Sequence, residues 1–172
     1  AALGIPEKVV NSNVKWRSPS SDFCKKIAEF SKKFSTKNPY KFLKILCEGD
    51  GSKRLPIKLP KDGEPVFFPK TDTVISVIGL SCLGKPIKET LFRYELLPNL
   101  TSLDNYFIKS LQSADIVTTD FLYRLCLSEK GLRKNITSQK FCIIFNQADI
   151  LDEKALAEVI TLRNQLQTKG IC

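Results

Sequence analysis

Two carboxylates flanked by glycines follow a short apolar run in the first third of the chain. The run is Phe42–Cys47, and the acids are Glu48 and Asp50, with Gly51 directly after the second. Mg²⁺ prefers oxygen ligands, glycine permits close backbone approach and positive φ, and open α/β sheets bind ligands beyond the carboxyl ends of their strands. The pattern predicts a buried strand followed by a Mg²⁺ site with Asp50 as ligand, or by a turn whose acids are only solvated.

The tetrapeptide Asn146-Gln147-Ala148-Asp149 also follows an apolar run, Lys140–Phe145, and is close to the N-K-x-D guanine motif of GTPases. The carboxylate of Asp149 can accept hydrogen bonds from the ring N–H and the exocyclic amine of guanine, a pair of donors that adenine lacks. Gln147 stands where the motif has a lysine whose stem covers the base. The tetrapeptide is either a guanine site of modest affinity or a loop that happens to match a short pattern.

A third segment, Gly79–Pro86, nearly matches the phosphate-loop pattern G-x-x-x-x-G-K-[ST] and follows the apolar run Thr73–Ile78. This run and Lys140–Phe145 each predict a buried strand. The pattern needs a hydroxyl at its last position to bind Mg²⁺. Pro86 has neither that hydroxyl nor a backbone N–H. We therefore predict that this segment binds no phosphate.

Composition narrows the classes of function. The chain has 172 residues, a net charge of +9 and no histidine. Its length predicts a single domain over residues 1–172, and the lack of histidine excludes a histidine base or metal ligand. No apolar run approaches the ~20 residues of a membrane span, and the start of the chain has no signal-peptide pattern, so we expect a cytoplasmic protein that contacts no membrane. The even spread of the lysines disfavours nucleic acid as a partner.

The six cysteines form no CxxC pair, so the sequence predicts no zinc site. Cys47, Cys126 and Cys142 lie in apolar runs and are expected to be buried as small hydrophobic side chains. Cys82 lies in a glycine-flanked loop, where we expect a structural rather than a reactive thiol.

The remaining segments alternate between strand and helix patterns. They comprise a weak strand or hairpin at Lys8–Trp16, helices at Phe23–Phe34, Leu91–Leu97, Leu103–Leu111, Phe121–Ser128 and Lys154–Thr168, a stiff loop with four prolines at Glu48–Pro69, and the start of a strand at Ile171–Cys172. Helix-start signals precede three of these helices, at Ser18–Asp22, Thr118–Asp120 and Asp152–Glu153. The alternation predicts an α/β fold with a mainly parallel sheet flanked by helices.

Several of these sequence strings are found together in one family. They are Glu48–Lys58, Glu64-Pro65-Val66, Val77–Leu80, Leu83–Pro86, Arg93 and Asn146–Asp149. From about Phe42 to the C-terminus the chain resembles the YqeC-type proteins, which are regarded as accessory proteins of selenium-dependent molybdenum hydroxylases. The resemblance implies a P-loop NTPase-like domain that binds a nucleotide.

The resemblance also implies roles for individual residues. Asp50 and Gly51 would serve Mg²⁺ and the terminal phosphate, Glu48 belongs to the same cofactor-binding group, and Asn146 and Asp149 would bind the base. The family's Gly-Gly-Lys-Thr-type phosphate loop is not found in the chain, and we expect it before the first residue, so that the domain is a truncated P-loop NTPase-like one. Mg²⁺ and GTP are thus expected only for a full-length form, with no hydrolysis by this chain and no catalytic residue assigned.

Three functional hypotheses remain open from the sequence. The first is an accessory protein whose partners are a nucleotide and a molybdenum hydroxylase or its cofactor-insertion machinery. The second is a non-catalytic interaction module that has lost nucleotide binding. The third is a basic RNA-binding protein, for which salt-sensitive binding would be the test.

Overall fold

The computed structural model describes residues 5–10, 13–17, 20–37, 46–68, 71–100 and 115–172. The chain divides into two compact units. The first comprises Ala1–Glu48 and Phe67–Lys70, and the second comprises Gly49–Val66 and Thr71–Cys172. A single domain over residues 1–172 therefore stays a prediction.

The described part of the first unit holds a hairpin and a helix. Strand β1 (Ile5–Val10) pairs antiparallel with β2 (Asn13–Arg17), and helix α1 spans Ser21–Lys37. The hydroxyl of Ser20 accepts a hydrogen bond of 3.2 Å from the backbone N–H of Phe23, as serine does at a helix start. Of the two predicted alternatives, a weak strand or a hairpin, the structure has the hairpin, and the predicted first helix is confirmed.

The predicted strand at Phe42–Cys47 is wrong at its described end. Leu46 and Cys47 belong to no strand and are exposed, with Leu46 exposed to 87%. Residues 42–45 lie outside the described residues. An apolar run is buried only where other elements cover it, and a short run alone carries no information about that cover.

The second unit alternates short strands with helices. Its strands are β3 (Ile57–Lys58), β4 (Thr73–Gly79), β5 (Leu91–Phe92) and β6 (Lys140–Asn146), its helices are α2 (Ile87–Thr90), α3 (Thr119–Leu127) and α4 (Glu153–Thr168), and 3₁₀ turns lie at Leu80–Cys82, Tyr94–Asn99 and Ala148–Ile150. β3 pairs with β5 and β4 pairs with β6, both in parallel. The chain therefore has the predicted α/β fold, built in the described ranges around two small parallel sheets.

The β4–β6 pair runs in register from Thr73 opposite Lys140 to Gly79 opposite Asn146. Both strands were expected to be buried, but one face of the pair is half-exposed. Its apolar side chains are Ile75, Val77 and Ile144, exposed to 47%, 57% and 48%. The existence of the strands is confirmed, whereas their complete burial is wrong.

Side-chain caps begin two helices of the second unit. The hydroxyl of Thr118 accepts a 3.1 Å hydrogen bond from the N–H of Phe121 at the start of α3. The carboxylate of Asp152 accepts a 2.7 Å bond from the N–H of Ala155 at the start of α4. Such caps satisfy N–H groups that have no partner within the helix, and both helices lie where the sequence predicts them.

The helix predicted at Leu91–Leu97 is wrong. Leu91 begins β5, and Arg93 takes a left-handed backbone with φ 67°. The following 3₁₀ turn contains Pro98, whose ring and missing N–H oppose a continuous helix. The helix predicted at Leu103–Leu111 lies outside the described residues.

The core of the second unit draws on nearly every element. Its largest fully buried side chains include Ile57, Leu59, Ile78, Leu80, Ile87, Leu91, Leu122 and Leu162. Ile57 and Leu59 come from the proline-rich loop predicted at Glu48–Pro69, which is irregular apart from β3. Among the described helices, none combines the length and the apolar composition that crossing a membrane requires.

Candidate functional site

A network of four charged side chains centres on Glu64. Both terminal nitrogens of Arg93 donate hydrogen bonds to this carboxylate, Nη1 to Oε2 and Nη2 to Oε1. The bond from Nη2 is 2.9 Å long. The ammonium of Lys58 lies 2.9 Å from Oε2 of Glu64 and 3.4 Å from Oδ1 of Asp50. Asp50, Lys58, Glu64 and Arg93 thus form one chain of contacts, which we call the Glu64 network. The exposed Lys61 ammonium lies outside it, 4.0 Å from Oε1 of Glu64.

The β3–β5 pairing positions the two basic residues of the Glu64 network. Lys58 ends β3 and lies opposite Phe92, so that Arg93 follows β5 at the same edge of the pair. The left-handed backbone of Arg93 ends the strand there. Its Nη1 also donates a 3.2 Å bond to the carbonyl of Leu59, which ties the side chain to the strand pair.

The Glu64 network is largely shielded from water. Its four side chains are between 13% and 22% exposed. The hydrogen bond from Arg93, assisted by Lys58 and opposed by burial, lowers the pKa of Glu64 to about 2. The same bond with Glu64 raises the pKa of Arg93. The bidentate geometry and the shared charge therefore hold Glu64 ionised over the physiological range.

Beside the network lies a tight turn with two basic residues. The N–H of Leu55 donates a 3.1 Å bond to the carbonyl of Ser52, and the central residues Lys53 and Arg54 have φ values of 52° and 66°. Positive φ was anticipated at the glycines flanking Asp50, yet it falls at these two residues, where a side chain makes it unfavourable. The Lys53 ammonium lies 5.1 Å from the ring centre of Phe92, a cation–π contact that helps to hold the turn.

Asp50 is the predicted Mg²⁺ ligand, and its described partner is Lys58. Within the described ranges, no three acidic or thiol side chains gather as a group that could hold a metal ion. The Mg²⁺ role of Asp50 stays a prediction. Gly51 is exposed, and Glu48 is an exposed residue of the other unit.

The predicted base-binding residues lie at the carboxyl end of β6. Asn146 is the last residue of the strand, and Asp149 lies on the 3₁₀ turn that follows; both are exposed. Gln147 between them is left-handed, with φ 65°, and its N–H donates a 2.9 Å bond to Oδ1 of Asn146. That bond fixes the direction in which the loop leaves the strand.

Gly79 brings a second loop to the same edge. It lies opposite Asn146 in the β4–β6 pair, and its N–H donates a 2.9 Å bond to the carbonyl of Pro56. A side-chain carbon at this position would lie 3.0 Å from Oε1 of Gln147 and 3.1 Å from the Pro56 ring. Glycine therefore fits without displacing the loops containing Pro56 and Gln147 where they converge on β4.

Several backbone N–H groups of the segment Gly79–Pro86 already have hydrogen-bond partners within the protein. Those of Leu83, Gly84 and Lys85 donate to carbonyl oxygens of the chain at 3.0–3.1 Å. A phosphate would have to displace these bonds, which favours the prediction that none binds here. Burial raises the pKa of the Cys82 thiol to about 11 and the side chain is fully buried, in agreement with the expected structural role.

The structure thus groups the predicted site residues in two places. Asp50 belongs to the Glu64 network, whereas Asn146 and Asp149 share the loop after β6, and no described contact joins the two places. The sequence did not indicate the partners of Asp50. Lys58 and Glu64 lie in the predicted proline-rich loop, and Arg93 follows 29 residues after Glu64. The alternation Ile57-Lys58-Leu59 was the one available signal, because it marks a strand with an outward lysine.

The molecule is thus an α/β protein with a shielded ion-pair network beside one small parallel sheet and an exposed Asn–Asp loop at the edge of the other. The family model described as YqeC protein matches residues 7–95. The chain therefore belongs to the YqeC family, and this membership fits an accessory or maturation role in general. No curated protein and no solved structure matches the chain.

The matched range differs from the one expected from the sequence strings. It begins at residue 7, well before Phe42, and ends at residue 95. It contains the whole Glu64 network, from Asp50 to Arg93. The loop Asn146–Asp149 lies beyond it, so a role for that loop depends on the chemistry of its own residues.

Proposed function

We propose that the protein assists the maturation of a selenium-dependent molybdenum hydroxylase and that its full-length form binds a guanine nucleotide. The observation that carries the nucleotide-binding part of the proposal is the position of Asn146–Asp149 at the carboxyl end of β6, beside the carboxyl end of β4. Ligands of parallel α/β sheets bind at this edge, because the loops that follow neighbouring strands converge there.

The exposed loop offers the polar groups that guanine requires. Asp149 presents a carboxylate, an acceptor for two adjacent donors of the base. Because Oδ1 of Asn146 already accepts a bond from the loop backbone, its amide nitrogen is oriented as a donor. Gln147 has no long cationic stem to cover the base, so modest affinity is part of the proposal.

The phosphate end of the nucleotide is proposed to lie towards Asp50. A carboxylate here would hold Mg²⁺, an ion that offsets the charge of the phosphates, with Gly51 beside it in the chain. The Lys58 ammonium lies 3.4 Å from Oδ1 of Asp50, so Mg²⁺ would share or displace this contact. The family match over residues 7–95 includes this segment, which supports the accessory role.

Titration calorimetry of the full-length gene product with GTP and with ATP tests base recognition. Asp149→Ala is expected to weaken GTP binding by about 1–3 kcal/mol, which is roughly 5- to 150-fold in Kd, because guanine donors lose their acceptor. ATP binding should be unchanged. Glu129→Ala, which removes an exposed acid from another loop, is the matched control. Equal affinity for GTP and ATP, or no effect of Asp149→Ala, would contradict guanine recognition.

Gene deletion in a host that makes such a hydroxylase tests the accessory role. We expect hydroxylase activity per unit of enzyme protein to fall, and the wild-type gene to restore it. Restoration by wild type but not by Asp149→Ala supports a nucleotide-linked role. Equal restoration by both favours the interaction module, for which the half-exposed Ile75, Val77 and Ile144 are suited. Unchanged activity after deletion would refute both.

A further inference from the structure

Two cysteines that are thirty positions apart in the sequence become neighbours in the β4–β6 sheet. Cys142 lies in the middle of β6, and Cys172 follows α4. The N–H of Cys172 donates a 3.1 Å bond to the carbonyl of Phe141, and its carbonyl accepts a 2.8 Å bond from the N–H of Ile143. In a parallel pair, a residue that bonds in this way to the two residues on either side of a position is the direct neighbour of the residue at that position. Cys172 is therefore paired with Cys142. Ile171–Cys172 therefore adds to β6, where the sequence indicated the start of a strand.

The pairing brings the two sulfur atoms together. Neighbouring strands lie about 4.8 Å apart, within the ~4.4–6.8 Å that disulfides span between Cα atoms. The nearby Cys172 thiol also contributes, after burial, to raising the pKa of the Cys142 thiol. Cys142 is half-buried rather than buried as the sequence predicts, and Cys172 is exposed. Reagents in solution can therefore reach the pair.

The other cysteines of the second unit are inaccessible to reagents in solution. Cys82 and Cys126 are fully buried, and burial raises their pKa values to about 11 and about 12. They are inert thiols, because the thiolate is the reactive form. Chemistry at cysteine in this unit is thus confined to Cys142 and Cys172.

We propose that Cys142 and Cys172 form a redox-modification site, a dithiol that closes to an intramolecular disulfide on reaction with a low-molecular-weight disulfide such as oxidised glutathione. The Cys172 thiolate attacks one sulfur of the oxidant, forms a mixed disulfide and releases one reduced thiol. The Cys142 thiolate then attacks the Cys172 sulfur and displaces the second reduced thiol. Two protein thiols are oxidised, the oxidant's disulfide is reduced to two thiols, and two protons pass to the departing thiolates.

The surroundings of the two sulfurs support this order of attack. Burial and the nearby Cys172 thiol raise the pKa of the Cys142 thiol, so it reacts more slowly with an outside reagent. Cys172 is the exposed partner and meets the oxidant first. Once the mixed disulfide forms, Cys142 is already adjacent to the sulfur that it must attack.

Closure would attach the segment after α4 covalently to the middle of β6. Without the bond, Cys172 is held there by the two backbone hydrogen bonds and by the burial of Ile171, which is 3% exposed. We expect oxidation to slow amide hydrogen exchange at Ile143 and Cys172 and to raise Tm, because the bond prevents local opening of this edge.

Peptide mapping under non-reducing conditions tests the site. The background is Cys24→Ser/Cys47→Ser, which removes the cysteines described in the first unit and leaves the second unit unchanged. After equilibration with glutathione buffers, remaining thiols are alkylated and the protein is digested with trypsin. Cleavage after Lys140, Lys154 and Lys169 places Cys142 in the peptide Phe141–Lys154 and Cys172 in the peptide beginning at Gly170. The expected product is these two peptides joined, with the loss of two hydrogens.

Two controls show whether the native pairing causes the closure. Urea-unfolded protein should give far less of the joined peptide at the same glutathione ratio. Cys142→Ser should stop the reaction at a mixed disulfide on Cys172. The proposal is overturned if Cys172 of the native background protein accumulates the mixed disulfide while Cys142 is still alkylated, if neither cysteine reacts, or if Cys172 links two copies of the chain. Each of these products has a distinct mass in the same digest.

Discussion

The substitution Ile57→Ala is expected to lower the free energy of unfolding by about 2–5 kcal/mol. Ile57 is 1% exposed and lies opposite Leu91 in the β3–β5 pair. Truncation removes the buried part of the side chain and leaves a cavity that the surrounding core fills only in part. Because Lys58 is the next residue, the loss also loosens the strand that positions the Glu64 network.

Urea unfolding followed by circular dichroism measures this effect, and Val66→Ala is the matched control. Val66 is an aliphatic residue of the same irregular segment, but it is 63% exposed. Its truncation should change the free energy of unfolding by no more than about 0.5 kcal/mol. Similar losses for the two variants would mean that Ile57 is not a core residue.

The substitution Glu64→Gln is expected to destabilise the protein by about 2–3 kcal/mol at neutral pH. The pKa of Glu64 is about 2, against an ordinary value of 4.5, and each unit of such a shift corresponds to about 1.4 kcal/mol. Glutamine removes the charge and leaves the shielded cations of Lys58 and Arg93 without their shared partner. The network's residual exposure keeps the expected loss below the value for a fully buried pair.

The comparison of wild type with Glu64→Gln also leads to a prediction about the pH dependence of stability. A carboxylate whose pKa is lower in the folded state contributes stability that is complete above the unfolded value and is lost as pH falls. For Glu64 the loss occurs as pH falls from about 4.5 towards 2. The stabilities of wild type and Glu64→Gln should therefore differ most at pH 5 and above and approach each other near pH 2.

Glu95→Gln is the control for the general effect of charge. Glu95 is exposed and influences Arg93 only through longer-range attraction. We expect Glu95→Gln to change the free energy of unfolding by no more than about 0.5 kcal/mol. Its difference from wild type should not shrink specifically as pH falls below 4.5. If Glu95→Gln matches Glu64→Gln in size and pH dependence, the bidentate contact is not the source of the stability.

Local signals were sufficient for the elements that carry their own start and stop residues. The turn at Ser20 and the capping residues Thr118 and Asp152 indicated helices where α1, α3 and α4 begin. A capping side chain satisfies N–H groups within its own turn, so the information lies within a few consecutive residues. The runs Thr73–Ile78 and Lys140–Phe145 likewise indicated β4 and β6.

Local signals failed where burial or long-range partners decide the structure. The run ending in Leu46 and Cys47 has the composition of a buried strand, yet its described end is exposed. The proline-rich stretch containing Ile57 has the composition of a loop, yet it supplies core residues and a strand. Composition records which side chains favour burial, whereas burial itself depends on which elements pack over them.

By itself the sequence determined the α/β class, the position of Asn146–Asp149 after a strand and the resemblance to the YqeC family, because each depends on residues close together along the chain. The tertiary structure decided that Asp50 contacts Lys58, that Glu64 is shared between Lys58 and Arg93, and that Cys142 lies beside Cys172. These contacts join residues 6 to 30 positions apart. Their formation depends on strand pairing and core packing, which sum weak interactions over the whole unit and leave no short pattern in the sequence.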